Sequence, residues 1–238
     1  MLKSWWAAFL DLLYPPKCPV CRTPVQQHGA WCQPCLAQVI AWREINVAGR
    51  RLSALDSCWA LCEYSAGAKR VLQQLKYRRA SEYAVYCQWL LSRLDAGRLP
   101  RIDVVVPVPL HAARQAERGF NQTELIFRRW AGQRGWPWAE AVIRTRATAP
   151  QWELAPGERR KNIKGAFCLT RPEVIRNQTV LLVDDILTTG MTLNECARVL
   201  KKGGAGKVFG LALASGAADQ PSESTKAFTT SGSKAVPE

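Results

Sequence analysis

The sequence predicts an α/β fold, a parallel β-sheet flanked by helices, with a small four-cysteine module in front of it. Three observations carry this. Val180, Leu181, Leu182 and Val183 form the unbroken apolar run of a strand buried on both faces, as parallel strands are. Leu193, Cys196, Ala197 and Leu200 follow with helical i, i+3, i+4, i+7 spacing, Gly203 and Gly204 stop that helix, and Val208–Ala214 reads as the next strand, completing a βαβ unit. Cys18-Pro-Val-Cys21 and Cys32-Gln-Pro-Cys35, ten residues apart, have the spacing of a tetrahedral metal site.

The 238 residues, 47% of them hydrophobic, suffice for one α/β domain and a small extra module. The expected division is 1–45 for an N-terminal helix and the cysteine module, 46–215 for the sheet domain, and 216–238 for a disordered tail of small and polar residues. A net charge of +14 predicts an anionic partner, a phosphorylated metabolite, a nucleic acid or both. The first residues, MLKSWWAAFLDLLYPP, are too short and too interrupted by Asp11 to span a membrane, and they lack the basic flank and cleavage site of a signal peptide. Their apolar face of Trp5, Trp6, Phe9, Leu10 and Leu13 reads as a helix docked on the domain, ended by Pro15 and Pro16. The expectation is a cytoplasmic chain with its nine cysteines mostly reduced.

Each element then has its reason. Cys18, Cys21, Cys32 and Cys35 sit in a short segment rich in proline and glutamine, which favours structural zinc over redox chemistry. A closed four-thiolate site leaves no position for water, and it replaces a core that so short a segment cannot build. His28 lies between the pairs, is surplus as a ligand, and reads as a loop histidine. Cys58, Cys62, Cys87, Cys168 and Cys196 lack metal spacing and are expected to be small buried residues.

Residues 64–94 read as amphipathic helix, with Val71, Leu72 and Leu75, then Tyr83, Tyr86, Cys87, Leu90, Leu91 and Leu94. Lys76-Tyr77-Arg78-Arg79 between them is either a solvated face or the wall of an anion site. Residues 103–111, DVVVPVPLH, form a second apolar strand that ends near Val106, because Pro107 and Pro109 cannot join a central ladder. The turn beyond it is either an ordinary strand exit or a rigid loop presenting N–H groups to an anion. Glu117–Asn121 open a helix that runs through Leu125 and Trp130. Residues 144–167 form a long basic loop, with Arg144, Arg146, Arg159, Arg160, Lys161 and Lys164 against Glu153 and Glu158, suited to closing over an anionic substrate.

The chemistry concentrates in VLLVDDILTTGMT, residues 180–192. Asp184 and Asp185 at a strand end can accept hydrogen bonds from vicinal sugar hydroxyls. The N–H groups that follow, with Thr188, Thr189 and Thr192, can wrap a phosphate at a helix start. A plain βα turn, with Asp185 a surface acid and Thr189 an N-cap, is the alternative. The carboxyl end of a strand in a βαβ unit is where open α/β sheets bind ligands.

This motif resembles the phosphoribosyl-pyrophosphate (PRPP) motif of type I phosphoribosyltransferases, and the whole chain is similar to the ComF family, which joins a four-cysteine zinc module to such a domain. The landmarks run in order: the four cysteines; Leu75-Lys76-Tyr77; Val106-Pro107-Val108-Pro109-Leu110; Arg118-Gly119-Phe120-Asn121-Gln122; Arg144, Arg146, Thr148 and Gln151; Arg159 with Asn162; Gly165-Ala166-Phe167; and the acidic motif. The resemblance implies the type I phosphoribosyltransferase fold. It implies that Asp184 and Asp185 act in catalysis by holding the ribose hydroxyls of PRPP. Thr188, Thr189, Gly190, Met191 and Thr192 would bind the 5′-phosphate, and Val106, Pro107 and Val108 would begin the pyrophosphate turn. Lys76, Arg118 and Arg159 would be further binding residues, and Mg²⁺ would bridge pyrophosphate and ribose. The implied reaction displaces pyrophosphate at the anomeric carbon without a covalent nucleophile; no residue identifies the acceptor. His111 is placed either as a general base or in a structural role. Met191 departs from the small residue usual there, which implies a tighter phosphate loop. The family is associated with natural competence and with growth on DNA, which implies single-stranded DNA and DNA-uptake proteins as partners. The alternative is a DNA- or protein-binding factor whose PRPP-type site senses a ligand without turnover.

Overall fold

The computed structural model describes residues 14–76, 81–146 and 163–216. The expected helix at 5–13, Arg78, Arg79, Thr148, Gln151, Arg159 to Asn162 and the tail from 217 lie outside these. The cysteine module ends in helix α1 (Gln33–Val39), and strand β1 (Ile40–Glu44), within the segment assigned to the module, continues straight from it. Then come β2 (Ser57–Glu63), helices α2 (Ala66–Gln74) and α3 (Ala84–Ser92), and β3 (Val104–Pro107). Helices α4 (Ala112–Arg118) and α5 (Gln122–Gly132) precede a hairpin of β4 (Val142–Arg144) and β5 (Phe167–Leu169). Strand β6 (Thr179–Leu187), helix α6 (Met191–Lys202) and β7 (Lys207–Ser215) complete the fold.

Five strands form one sheet in the order β1-β2-β7-β6-β3. β2, β7, β6 and β3 are parallel, and β1 adds antiparallel to β2 at one edge. Alternate residues along a strand face opposite layers. Leu181, Val183, Leu211 and Leu213 meet α2, α3 and α5 through Leu72, Leu91 and Phe127. Val180, Leu182, Val208 and Ala212 meet α6 and the hairpin through Leu193, Cys196 and Phe167. Both faces are therefore covered, which is why these strands read as unbroken apolar runs.

The structure corrects several boundaries. β6 does not end before its acids but runs through them to Leu187, because β7 stays alongside, with Asp184 opposite Ala212 and Leu187 opposite Ser215. β3 takes in Pro107, opposite Val183, and tolerates its missing N–H because β3 is the last strand of the sheet. Glu117 and Arg118 close α4 instead of opening the next helix. Gly119, at φ 85°, terminates α4, and Asn121 caps α5 by accepting the Thr123 N–H at 3.0 Å. The long basic loop is pinned at its base, where Arg144 pairs with Phe167 and Val142 with Leu169. Cys168 projects outward from that hairpin and is exposed; Cys58, Cys62, Cys87 and Cys196 are buried as expected. Among the described residues no helix is long and apolar enough to cross a membrane.

Candidate functional site

The four thiols converge. Cys18, Cys21, Cys32 and Cys35 have sulfurs within 4.8 Å of one another, and the Cys21 and Cys32 Sγ atoms are 3.4 Å apart. Zn–S bonds of about 2.3 Å put tetrahedral sulfurs about 3.8 Å apart, so the set fits zinc. The first pair sits on a tight turn in which the Arg22 N–H donates to the Cys18 carbonyl at 3.1 Å and Arg22 takes φ 66°. The second pair sits on the start of α1, where the Leu36 N–H donates to the Cys32 carbonyl at 2.9 Å. Hydrogen bonding with Thr23 draws the Cys21 thiol down to about 6, while burial and the neighbouring thiols push Cys35 up, as expected of four thiols packed together. His28 is exposed and outside the cluster. The module rests on two helices of the domain. The Arg70 guanidinium of α2 donates to the Val20 carbonyl at 3.0 Å, and the Trp31 indole donates to the Tyr86 carbonyl of α3 at 3.2 Å.

The acid pair lies where β6 runs on past the end of β3. The Asp184 carboxylate accepts the Asp185 N–H at 2.9 Å and the Thr123 hydroxyl at 3.5 Å. Burial, and then the charge of Asp185, push the Asp184 carboxyl well above the ordinary carboxylate range. Lys76, just past the end of α2, brings its ammonium to 3.9 Å from Asp185. Arg118 and Arg144 are lowered chiefly by burial, a trend that the charges of Asp185 and Asp184 respectively oppose. Lys76 thus stands against the pair, and the charges of Arg118 and Arg144 are felt there, as a site for an anion carried beside hydroxyls requires.

Next to the acids, residues 188–190 turn into α6. Gly190 is its N-cap at φ 81°, and no side chain caps the helix, so Thr189 is not the cap. The Met191 N–H lies 3.5 Å from the Thr189 hydroxyl, and the Met191 side chain packs toward the core layer around α6. Asp184, Ile186, Leu187, Thr188, Gly190, Thr192 and Leu193 line one pocket.

In the turn after β3, Pro107 and Pro109 have no N–H and the Val108 N–H donates to the Val183 carbonyl at 2.9 Å, so these three residues offer no free backbone donor. The Asn121 amide donates to the Val108 carbonyl at 3.3 Å and ties that turn to α5. His111 takes the structural role: it caps α4, its Nδ1 accepting the Ala113 N–H at 3.3 Å.

Two residues were invisible in the sequence. Arg50, from the loop after β1, donates to the Thr188 carbonyl at 2.8 Å. Glu195 of α6, 7% exposed, accepts the Gly165 N–H at 2.7 Å and is gripped by Arg198 at 2.6 and 2.9 Å. Nothing in the spacing marks Arg50; Glu195 is a polar residue on a buried side of its helix. The Arg198 hydrogen bonds hold the Glu195 carboxyl below its ordinary 4.5. A carboxylate with a depressed folded value stabilises the fold above its unfolded value and loses that contribution as pH falls through the folded one. Glu195→Ala is therefore expected to cost about 1–3 kcal/mol near neutrality. Thermal melts should show the gap from the unmodified chain closing below pH 4.5; a gap constant down to pH 3 refutes the assignment.

Residues 9–62 match the Double zinc ribbon domain family, and residues 134–232 match the Phosphoribosyl transferase domain family. The chain is 34% identical over 201 residues to the DNA utilization protein YhgH of Escherichia coli O6:H1, with 80% of each chain covered. It is 32% identical over 198 residues to the protein of that name from Salmonella typhi, again with 80% of each covered. Competence protein F of Haemophilus influenzae is 30% identical over 208 residues, covering 84% of this chain and 85% of that one.

Proposed function

Because the chain belongs to the ComF family, a zinc-ribbon module joined to a phosphoribosyltransferase domain, we propose that its crevice binds PRPP with Mg²⁺ and that the protein serves the uptake or nutrient use of DNA. The convergence of Asp184 and the α6 turn on one pocket, with Asp185 next in the chain, carries the ligand reading. Asp184 and Asp185 would accept the ribose hydroxyls, and residues 188–192 would take the 5′-phosphate at the helix start. Lys76, Arg118 and Arg159 would offset the pyrophosphate charge. Bound Mg²⁺ would neutralise the leaving pyrophosphate. The site offers that hard ion carboxylate oxygens, and a nearby cation relieves the burden that burial and Asp185 place on Asp184.

The DNA role rests on the relatives named DNA utilization protein and competence protein and on the net charge of +14. That charge also favours a second reading, a single-stranded DNA factor in which the PRPP site senses without turnover. Calorimetry of PRPP with Mg²⁺ tests the common premise. The unmodified chain should bind, and Asp184→Asn with Asp185→Asn should weaken binding by about a hundredfold, since two charge-assisted acceptors are lost. Equal affinity in both proteins rejects the site. Pyrophosphate release in a screen of bases and nucleosides then separates enzyme from sensor.

A further inference from the structure

The loop between β1 and β2, residues 45–56, carries no motif, yet it forms one wall of the phosphate turn. It is built rigidly. The Asn46 side chain accepts the Gly49 N–H at 2.8 Å, the Arg50 N–H donates to the Asn46 carbonyl at 3.0 Å, and the Leu52 N–H donates to the Val47 carbonyl at 2.8 Å. Ile45 and Leu52 anchor the loop in the core at 1% and 0% exposure. From this base it reaches the turn and α6 at three points. Arg50 Nη1 donates to the Thr188 carbonyl at 2.8 Å, Leu52 packs under Gly190, and the Ala54 N–H donates to the Asn194 side chain at 3.0 Å.

We propose that Arg50 is a positioning residue for the phosphate turn and gives the site its selectivity for ligands that carry a 5′-phosphate. The inference rests on the PRPP reading of the same pocket. A carbonyl oxygen turned toward a phosphate repels it. The Thr188 carbonyl and the Thr189 N–H belong to one planar trans peptide and point opposite ways. By holding that carbonyl, the guanidinium fixes the plane of the 188–189 peptide. It also places a permanent cation beside a turn whose other phosphate donors are neutral hydroxyl and N–H groups. The arginine comes from a loop separated from Thr188 by 138 residues. The turn is therefore set by tertiary structure as well as by its own sequence.

The two halves of PRPP test this. Calorimetry would compare ribose 5-phosphate with magnesium pyrophosphate on the unmodified chain, Arg50→Ala and Arg50→Lys. Arg50→Ala should weaken ribose 5-phosphate about tenfold or more, the effect of losing a charge-assisted partner. It should leave pyrophosphate within about twofold, as for independent sites. Arg50→Lys keeps the charge without the planar fork and should recover part of the loss. A merely structural arginine would weaken both ligands together and lower the melting temperature in step. Equal loss of both ligands, or unchanged ribose 5-phosphate affinity in Arg50→Ala, overturns the assignment while the pocket reading stands. Failure of the unmodified chain to bind either half overturns the pocket reading and the role of Arg50 with it.

Discussion

Cys18→Ser is expected to release the metal and to unfold the segment from residue 14 to the end of α1 as a unit. Four sulfurs within 4.8 Å of one another are tolerable as thiolates only around a cation, and a serine in the buried Cys18 position removes one of the four bonds. The module has little else to hold it. Its buried side chains are few, Trp31 and Val39 being the large ones, and both belong to the same core layer as α2 and α3. Structural zinc contributes about 10–16 kcal/mol of binding energy in free zinc-finger peptides. Docking on the domain retains part of the fold, so a net loss of at least about 3 kcal/mol is expected. For a chain of this size that lowers the melting temperature by about 6–12 °C. The effect should also reach the ligand crevice. Gly29 lies so close to Val85 of α3 that a Cβ there would stand 2.6 Å from the valine, and Arg70 of α2 holds the Val20 carbonyl. α2 leads directly to Lys76, whose ammonium stands 3.9 Å from Asp185. Metal content by atomic emission, followed by a melt, decides the matter. Zinc retained at one equivalent with an unchanged melt removes the structural role.

Which parts of this molecule the sequence revealed follows from the range of the forces involved. β6, β7 and α6 were legible because each buries a continuous face, and a continuous face leaves a periodic trace. The cysteine pairs were legible because a metal site imposes local spacing on each half. The hairpin of β4 and β5 was not, since three-residue strands carry too few alternations to register, and the outward Ile143 and Cys168 are apolar against the pattern. The split between α4 and α5 turns on Gly119 and Asn121, which the sequence shows but which lie inside one polar run. The acids were found, yet not their place within β6, because an apolar pattern does not disclose that one neighbouring strand continues while the other stops. Arg50 was missed for the same reason, since its partner lies 138 residues away and no local rule distinguishes it from an ordinary surface charge. Glu195 left a faint trace, an acid on a buried side of α6 with Arg198 three residues on, but its contact with Gly165 spans 30 residues.

Gly190→Ala should strike the turn itself, through two costs that add. Gly190 sits at φ 81°, where a Cβ costs about 1–2 kcal/mol. That Cβ would also stand 2.6 Å from one Leu52 methyl and 3.1 Å from the other. Rotating the leucine exchanges one clash for the second, and at 0% exposure Leu52 has no free space to retreat into. Overpacking of this kind costs about 1–3 kcal/mol. The sum, about 2–5 kcal/mol, corresponds to a melting temperature lower by about 4–20 °C. The two costs separate in a cycle with Leu52→Ala. Alone, Leu52→Ala opens a cavity and destabilises by about 2–5 kcal/mol. Combined with Gly190→Ala it makes room for the new methyl, so the pair should be less destabilised than the sum by up to the steric cost of about 1–3 kcal/mol, the backbone cost remaining. Additivity within about 0.3 kcal/mol excludes the steric contact as a cause. If Leu52 yields and the helix start keeps its form, the proposed PRPP binding survives in the double variant and fails in Gly190→Ala alone. Loss in both assigns the binding defect to the left-handed backbone of the turn, which no neighbouring substitution restores.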